Sequence, residues 1–137
     1  MPGGPTLTLD VVPGRFAVAR LDASASVPDW ALTGSGDLAG VVRRGPELSI
    51  VCAEQRVPAG VTAKRGYVAL AVRGPLDFSL TGILAALAAP LAEAGIPIFA
   101  ISTYDTDVLL VADTRLDDAR RALEHAGHIL AGVSRLS

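Results

Sequence analysis

Residues 6–12 alternate polar and apolar side chains, and residues 15–21 do so again after Pro13-Gly14. A period of two on each side of a turn dipeptide predicts two strands joined by a tight turn. Residues 28–32 read as one short helical turn. Residues 38–43 and 47–52 are β-rich runs that flank Arg44-Gly45-Pro46, which predicts a second strand pair. A turn-rich stretch, 55–60, leads to a further short strand at 61–64, and Gly66 is taken as the start of a second half. The first five residues carry too much Gly and Pro to pack and are expected to fray.

In the second half residues 67–72 form a strand. Leu80, Ile83, Leu84, Leu87 and Leu91 then recur at helical spacing up to a stop at Gly95. Pro90 falls inside this helix, lacks an N–H and crowds the Ala86 carbonyl, so a kink or break is expected there. Residues 98–101 and 108–111 read as strands. Leu116, Ala119, Leu123 and Ala126 mark a second helix, begun near Thr114 and Asp117 and ended by Gly127. Residues 128–133 supply the last strand. The second half thus runs strand, helix, strand, strand, helix, strand, and the first half is a version of it with short or missing helices. The fold class is α+β: two tandem ferredoxin-like βαββαβ units, the first with reduced helices. The expected division is 1–5 as a loose N-terminus, 6–65 as the first unit and 66–137 as the second.

Composition narrows the function. Of the 137 residues half are apolar, and the net charge is −2 with eleven arginines and one lysine spread along the chain. No basic stripe marks a nucleic-acid partner. Cys52 is the lone cysteine, and the N-terminus reads as having neither a basic start nor an apolar signal core, so a cytoplasmic protein is expected. The most apolar stretch, 78–101, is interrupted by Pro90, Glu93, Gly95 and Pro97, which argues against a membrane span.

Two polar clusters could carry chemistry. The first, around Asp77, Phe78, Ser79, Leu80, Thr81 and Gly82, lies between a strand and the long helix. Unpaired N–H groups at a helix start attract an anion such as the α-carboxylate of an amino acid. The same Asp, Ser and Thr also serve as ordinary helix caps. The second cluster, Ser102, Thr103, Tyr104, Asp105, Thr106 and Asp107, interrupts the following strand pair. Asp105 or Asp107 could take an ammonium group, and the same residues could instead bond their own backbone in a hairpin loop.

The two clusters, in this order and spacing, resemble those of ACT domains, small regulatory modules that bind free amino acids. The likeness is to the branch of aspartate-kinase regulatory domains and cytosolic arginine sensors, and within it to small stand-alone bacterial members. It covers residues 15–129 and is most specific at 76–85 and 101–111, then at 47–52. The resemblance implies a non-catalytic sensor whose amino acid lies between two ACT units. Ser49, Ile50 and Val51 would then face the residues at Asp77 to Gly82 and at Ser102, Thr103, Tyr104, Thr106 and Asp107, and main-chain groups would hold part of the ligand. No metal or cofactor is expected, a homodimer would cover exposed sheet edges, and a further protein partner is possible. The chain departs from the Asp-x-Pro-Gly turn of many ACT domains, carrying Gly74-Pro75-Leu76-Asp77-Phe78 in its place. This departure alters the expected carboxylate contacts.

Other features read as inert. Trp30 is a core or rim residue or a wall of the pocket. Glu124, His125 and His128 resemble a metal cluster superficially, and Gly34-Ser35-Gly36 is too short for a phosphate loop. Two alternatives stand beside the sensor. An acylphosphatase-like hydrolase shares only the topology, and the chain has no Asn to serve that chemistry. A scaffold subunit would use its sheet edges to assemble with itself or an amino-acid-metabolism enzyme without a ligand of its own.

Overall fold

The computed structural model describes residues 5–32, 38–74 and 81–132. The elements, in chain order, are β1 (Thr8–Val11), β2 (Phe16–Asp22), α1 (Asp29–Leu32), β3 (Gly40–Arg44), β4 (Glu47–Ala53), β5 (Ala63–Val72), α2 (Ile83–Glu93), β6 (Phe99–Ser102), β7 (Asp107–Ala112), α3 (Leu116–His125) and β8 (Ile129–Ala131). Two compact units result. One is Pro13–Tyr67, and the other combines Met1–Val12 with Val68–Ser137. We call them the inserted and the split unit.

In the inserted unit β4 lies between β3 and β2, and β2 also pairs with the first part of β5. The strand order is that of a ferredoxin-like unit. Its helices are reduced to the four residues of α1 and a single 3-10 turn at Glu54–Arg56. Ala17, Ala19, Leu48, Ile50 and Cys52 alternate along β2 and β4 and pack with Ala31 and Val57 in a small core, against which Trp30 leans. Burial pushes the Cys52 thiol up, as an apolar surrounding does.

In the split unit β6 pairs with β7, β7 with β5, β5 with β1, and β1 with β8. Val68, Leu70 and Val72 of β5 and Leu109 and Val111 of β7 point to one face. There they meet Ile83, Leu87 and Leu91 of α2 and Ala119 and Leu123 of α3. The order from β5 to β8 is βαββαβ, with β1 added between the first strand and the last.

Three readings from the pattern differ from what is observed. The hairpin expected across residues 6–21 does not form: β1 finds partners in β5 and β8, and β2 in β4 and β5. The strand placed at the front of the first half therefore pairs with strands from the second. The two strands expected at 61–64 and 67–72 are one ten-residue strand. Gly66 sits inside it at φ +79°, opposite a register shift in β2, and its N–H bonds a Glu54 carboxylate oxygen at 2.8 Å. A glycine in this conformation lets the strand bulge instead of ending.

The third difference is α2, which runs through Pro90 to Glu93 without a break. A proline removes the donor that would meet the carbonyl four residues earlier. Here that carbonyl, on Ala86, lies 3.0 Å from Nε2 of His128. Nδ1 of the same ring accepts the Leu7 N–H at 3.1 Å, so Nε2 carries the proton and donates to Ala86. Both helices end on glycines with positive φ. Ile96 bonds back to Leu91 and Gly95 to Ala92, and His128 bonds back to Leu123 and Gly127 to Glu124. Each is a Schellman stop, with Ile96 buried beside Leu91 as that motif favours. Thr114 does not cap α3: it lies in a 3-10 turn, and Arg115 occupies the cap position without a side-chain bond to the helix N–H groups.

Candidate functional site

The polar cluster at 102–107 is a hairpin loop. Ser102 and Asp107 are directly opposed at the ends of β6 and β7. The Ser102 hydroxyl donates to Asp107 Oδ1 at 2.5 Å. Thr103 and Thr106 close the loop: the Thr103 N–H donates to the Thr106 carbonyl at 2.7 Å, its Oγ1 donates to the same carbonyl at 3.0 Å, and the Thr106 N–H returns to that Oγ1 at 3.1 Å. Thr106 Oγ1 reaches across to the Val72 carbonyl at 2.6 Å. Tyr104 is 82% exposed, and Asp105 is exposed beside it.

Val72 is the last residue of β5, and the chain leaves it toward α2. On the other side of this strand end the Arg73 N–H donates to the Thr8 carbonyl at 2.7 Å, and its guanidinium pairs with both oxygens of Asp10. The hairpin is thus docked where the strand-to-helix connection begins. Asp77, Phe78, Ser79 and Leu80 of that connection lie outside the described residues, as does Gly34-Ser35-Gly36. Thr81 and Gly82 are exposed, and Gly82 is the N-cap of α2 at φ +79°. Its carbonyl accepts the first helical bond, from Ala86 at 2.9 Å. Glycine brings no side chain to the N–H groups of the first turn, which is the condition under which a helix start can take an anion.

Ser49, Ile50 and Val51 lie in β4 of the inserted unit. That strand is paired on both sides, Ser49 opposite Arg20 and Val42, Ile50 opposite Ala19 and Val41, and Val51 opposite Val18 and Gly40. Their main-chain groups serve the two ladders. Ile50 is fully buried in the unit's core, whereas Ser49 and Val51 point to the other face. The Ser49 hydroxyl donates to Glu47 Oε2 at 3.0 Å.

Two further arrangements were not anticipated from the sequence. A cleft of about 1030 Å³ runs between the end of α2 and α3, lined by Pro90, Glu93, Arg115, Asp118, Arg121 and His125 among others. Its arginines are engaged: Arg115 and Arg121 both pair with Asp118, and Arg115 also reaches the Ala94 and Gly95 carbonyls. The other is His128, whose two ring nitrogens are spent on Leu7 and Ala86, which leaves none for a metal. Among the described residues no group of three metal-binding side chains gathers, and no helix is long and apolar enough to cross a membrane.

Comparison with known proteins bears on both parts of the chain. Residues 62–125 match the family model described as an ACT domain, and residues 14–60 match a second model, described as an N-terminal domain. A solved structure of a protein from Agobacterium tumefaciens is 38% identical, with 93% of each chain covered and a TM-score of 0.86. A Vibrio cholerae protein of unknown function, titled a possible transport protein, is 20% identical over 88% of this chain and 90% of its own, with a TM-score of 0.70. The ligand-free regulatory subunit of aspartate kinase from Thermus thermophilus is 13% identical over 93% of this chain and 99% of its own, with a TM-score of 0.59, a likeness of fold alone. No curated protein matched the chain in sequence.

Proposed function

The chain carries an ACT domain at residues 62–125, and from that premise we propose that it is a non-catalytic regulatory protein that binds a free amino acid. The observation that carries this reading is the docking of the 102–107 hairpin on the end of β5 through Thr106 and Val72. It sets a carboxylate, Asp107, near the departure point of the connection that leads to the glycine-capped start of α2. A zwitterion needs both features, an acceptor for its ammonium group and donors for its carboxylate. Ser102 fixes Asp107 in the hairpin, and Thr81 and Gly82 bring the helix start to solvent. The fold shared with an aspartate-kinase regulatory subunit supports a regulatory role.

A second reading, a scaffold subunit with no ligand, is favoured by one observation. Ser102, Thr103, Thr106 and Asp107 bond one another or the adjacent strand, as residues of a purely structural loop would. Asp107→Ala separates the two readings. A sensor's ligand-induced rise in melting temperature is lost in this variant while the ligand-free protein stays folded. A scaffold shows no ligand-induced rise in either protein, and a variant that keeps the parent's rise would show that Asp107 holds no ligand.

A further inference from the structure

We infer that Thr106 is a positioning residue of the proposed amino-acid site and not one of its ligand contacts; the inference rests on that proposed site. Its main-chain N–H and carbonyl are both taken by Thr103, and its hydroxyl proton is taken by the Val72 carbonyl at 2.6 Å. A threonine so engaged has no donor left to offer a ligand without breaking a bond it already makes. What it does is fix a distance. β5 pairs with β7, and the Thr106 hydroxyl adds a side-chain rung to that pairing at the last residue of β5. The next residue, Arg73, is held from β1 by the Thr8 carbonyl and the Asp10 carboxylate. The strand end is therefore gripped on both sides, and Thr106 is the grip on the side of the hairpin.

The consequence is for Asp107 and its partner Ser102, which lie next to Thr106 in the hairpin and carry the carboxylate of the proposed site. Without the Thr106 to Val72 bond the loop remains closed by Thr103 and β7 remains paired with β5, but the loop end loses the rung that pins it to Val72. A site must hold its polar groups within a fraction of an ångström to bind tightly, so a loop end closed yet unpinned from Val72 should fold normally and bind poorly. A ligand contact through the Thr106 methyl group and a positioning bond through its hydroxyl, whose proton Val72 already holds, then differ in what rescues them. A positioning hydroxyl is replaced by any hydroxyl that reaches Val72, and the methyl group of Thr106 is dispensable.

The test uses the full chain as wild type, Thr106→Val and Thr106→Ser, melted with and without each of the twenty proteinogenic amino acids at millimolar concentration. Calorimetric titration follows for any amino acid that shifts the wild type. Thr106→Val should fold and bind that amino acid about tenfold more weakly, the scale of one lost hydrogen bond. Thr106→Ser should bind within about threefold of wild type, a difference under 1 kcal/mol. Should the valine variant fail to fold, Thr106→Ala removes the same hydroxyl without adding apolar bulk at a half-buried position. Unchanged affinity in the hydroxyl-free variant, or serine as weak as valine, overturns the inference and leaves the amino-acid site standing. A wild type that no amino acid shifts overturns the site and the inference with it.

Discussion

Asp10 of β1 and Arg73, the residue after the end of β5, form an ion pair with about half of each side chain in water. The Arg73 guanidinium bonded to Asp10 holds its carboxyl below the usual carboxylate range, against a smaller push upward from burial. A carboxyl depressed in the folded state stabilises the fold at pH above the unfolded value, about 3.9, and loses that contribution as pH falls through the folded value. Asp22, held down by the main-chain N–H and hydroxyl of Ser24, acts in the same direction. Asp10→Asn should therefore flatten part of the acid limb in urea-midpoint measurements taken from neutral pH down to about 2, and leave the neutral region little changed, since exposed pairs contribute little. An acid limb identical to wild type would show that the pair does not couple to folding. At this scale the sequence exposes residue types and not partners. The polar character of Ser102, Thr103, Thr106 and Asp107 is plain in it, but that Thr106 spends its hydroxyl on Val72 depends on a contact 34 positions away.

The elements were legible where the signal is local. The β-rich run at 47–52 became β4, the spacing from Ile83 to Leu91 became α2, and Gly95 and Gly127 stopped their helices as glycines do. Pro90 misled because its defect is repaired from outside the helix. The His128 ring replaces the missing donor to Ala86 and also accepts the Leu7 N–H, tying α2 to the start of β1. His128→Leu leaves both groups unpaired and should cost about 1–3 kcal/mol. Pro90→Ala returns a helical N–H to Ala86, so the same His128 change should cost less in that background. A double-mutant cycle by urea unfolding should give a coupling of about 1 kcal/mol. Additive effects would mean that His128 acts at Leu7 alone. Gly66 misled in the opposite way, looking like a boundary while serving as a bulge within β5.

For the whole molecule, the βαββαβ order and the reduced helices of the first half could be read from period and turn residues, because both are written in adjacent segments. The partners of β1 could not. An alternating four-residue strand fits any edge with a matching face, and only long-range pairing decides between the neighbouring β2 and the distant β5 and β8. That choice makes one unit of both ends of the chain, with Pro13–Tyr67 set between them. The likeness to ACT domains rested on residues at 76–85 and 101–111, and the match of residues 62–125 to the ACT model contains both. We propose that this fold serves to detect a free amino acid. The most direct measurement is thermal unfolding of the wild-type chain, purified free of bound small molecules, against each of the twenty amino acids at millimolar concentration. A ligand that binds only the folded state must raise the melting temperature. An amino-acid sensor shows a concentration-dependent rise with one or a few of them, and a folded protein that none of the twenty shifts is not such a sensor.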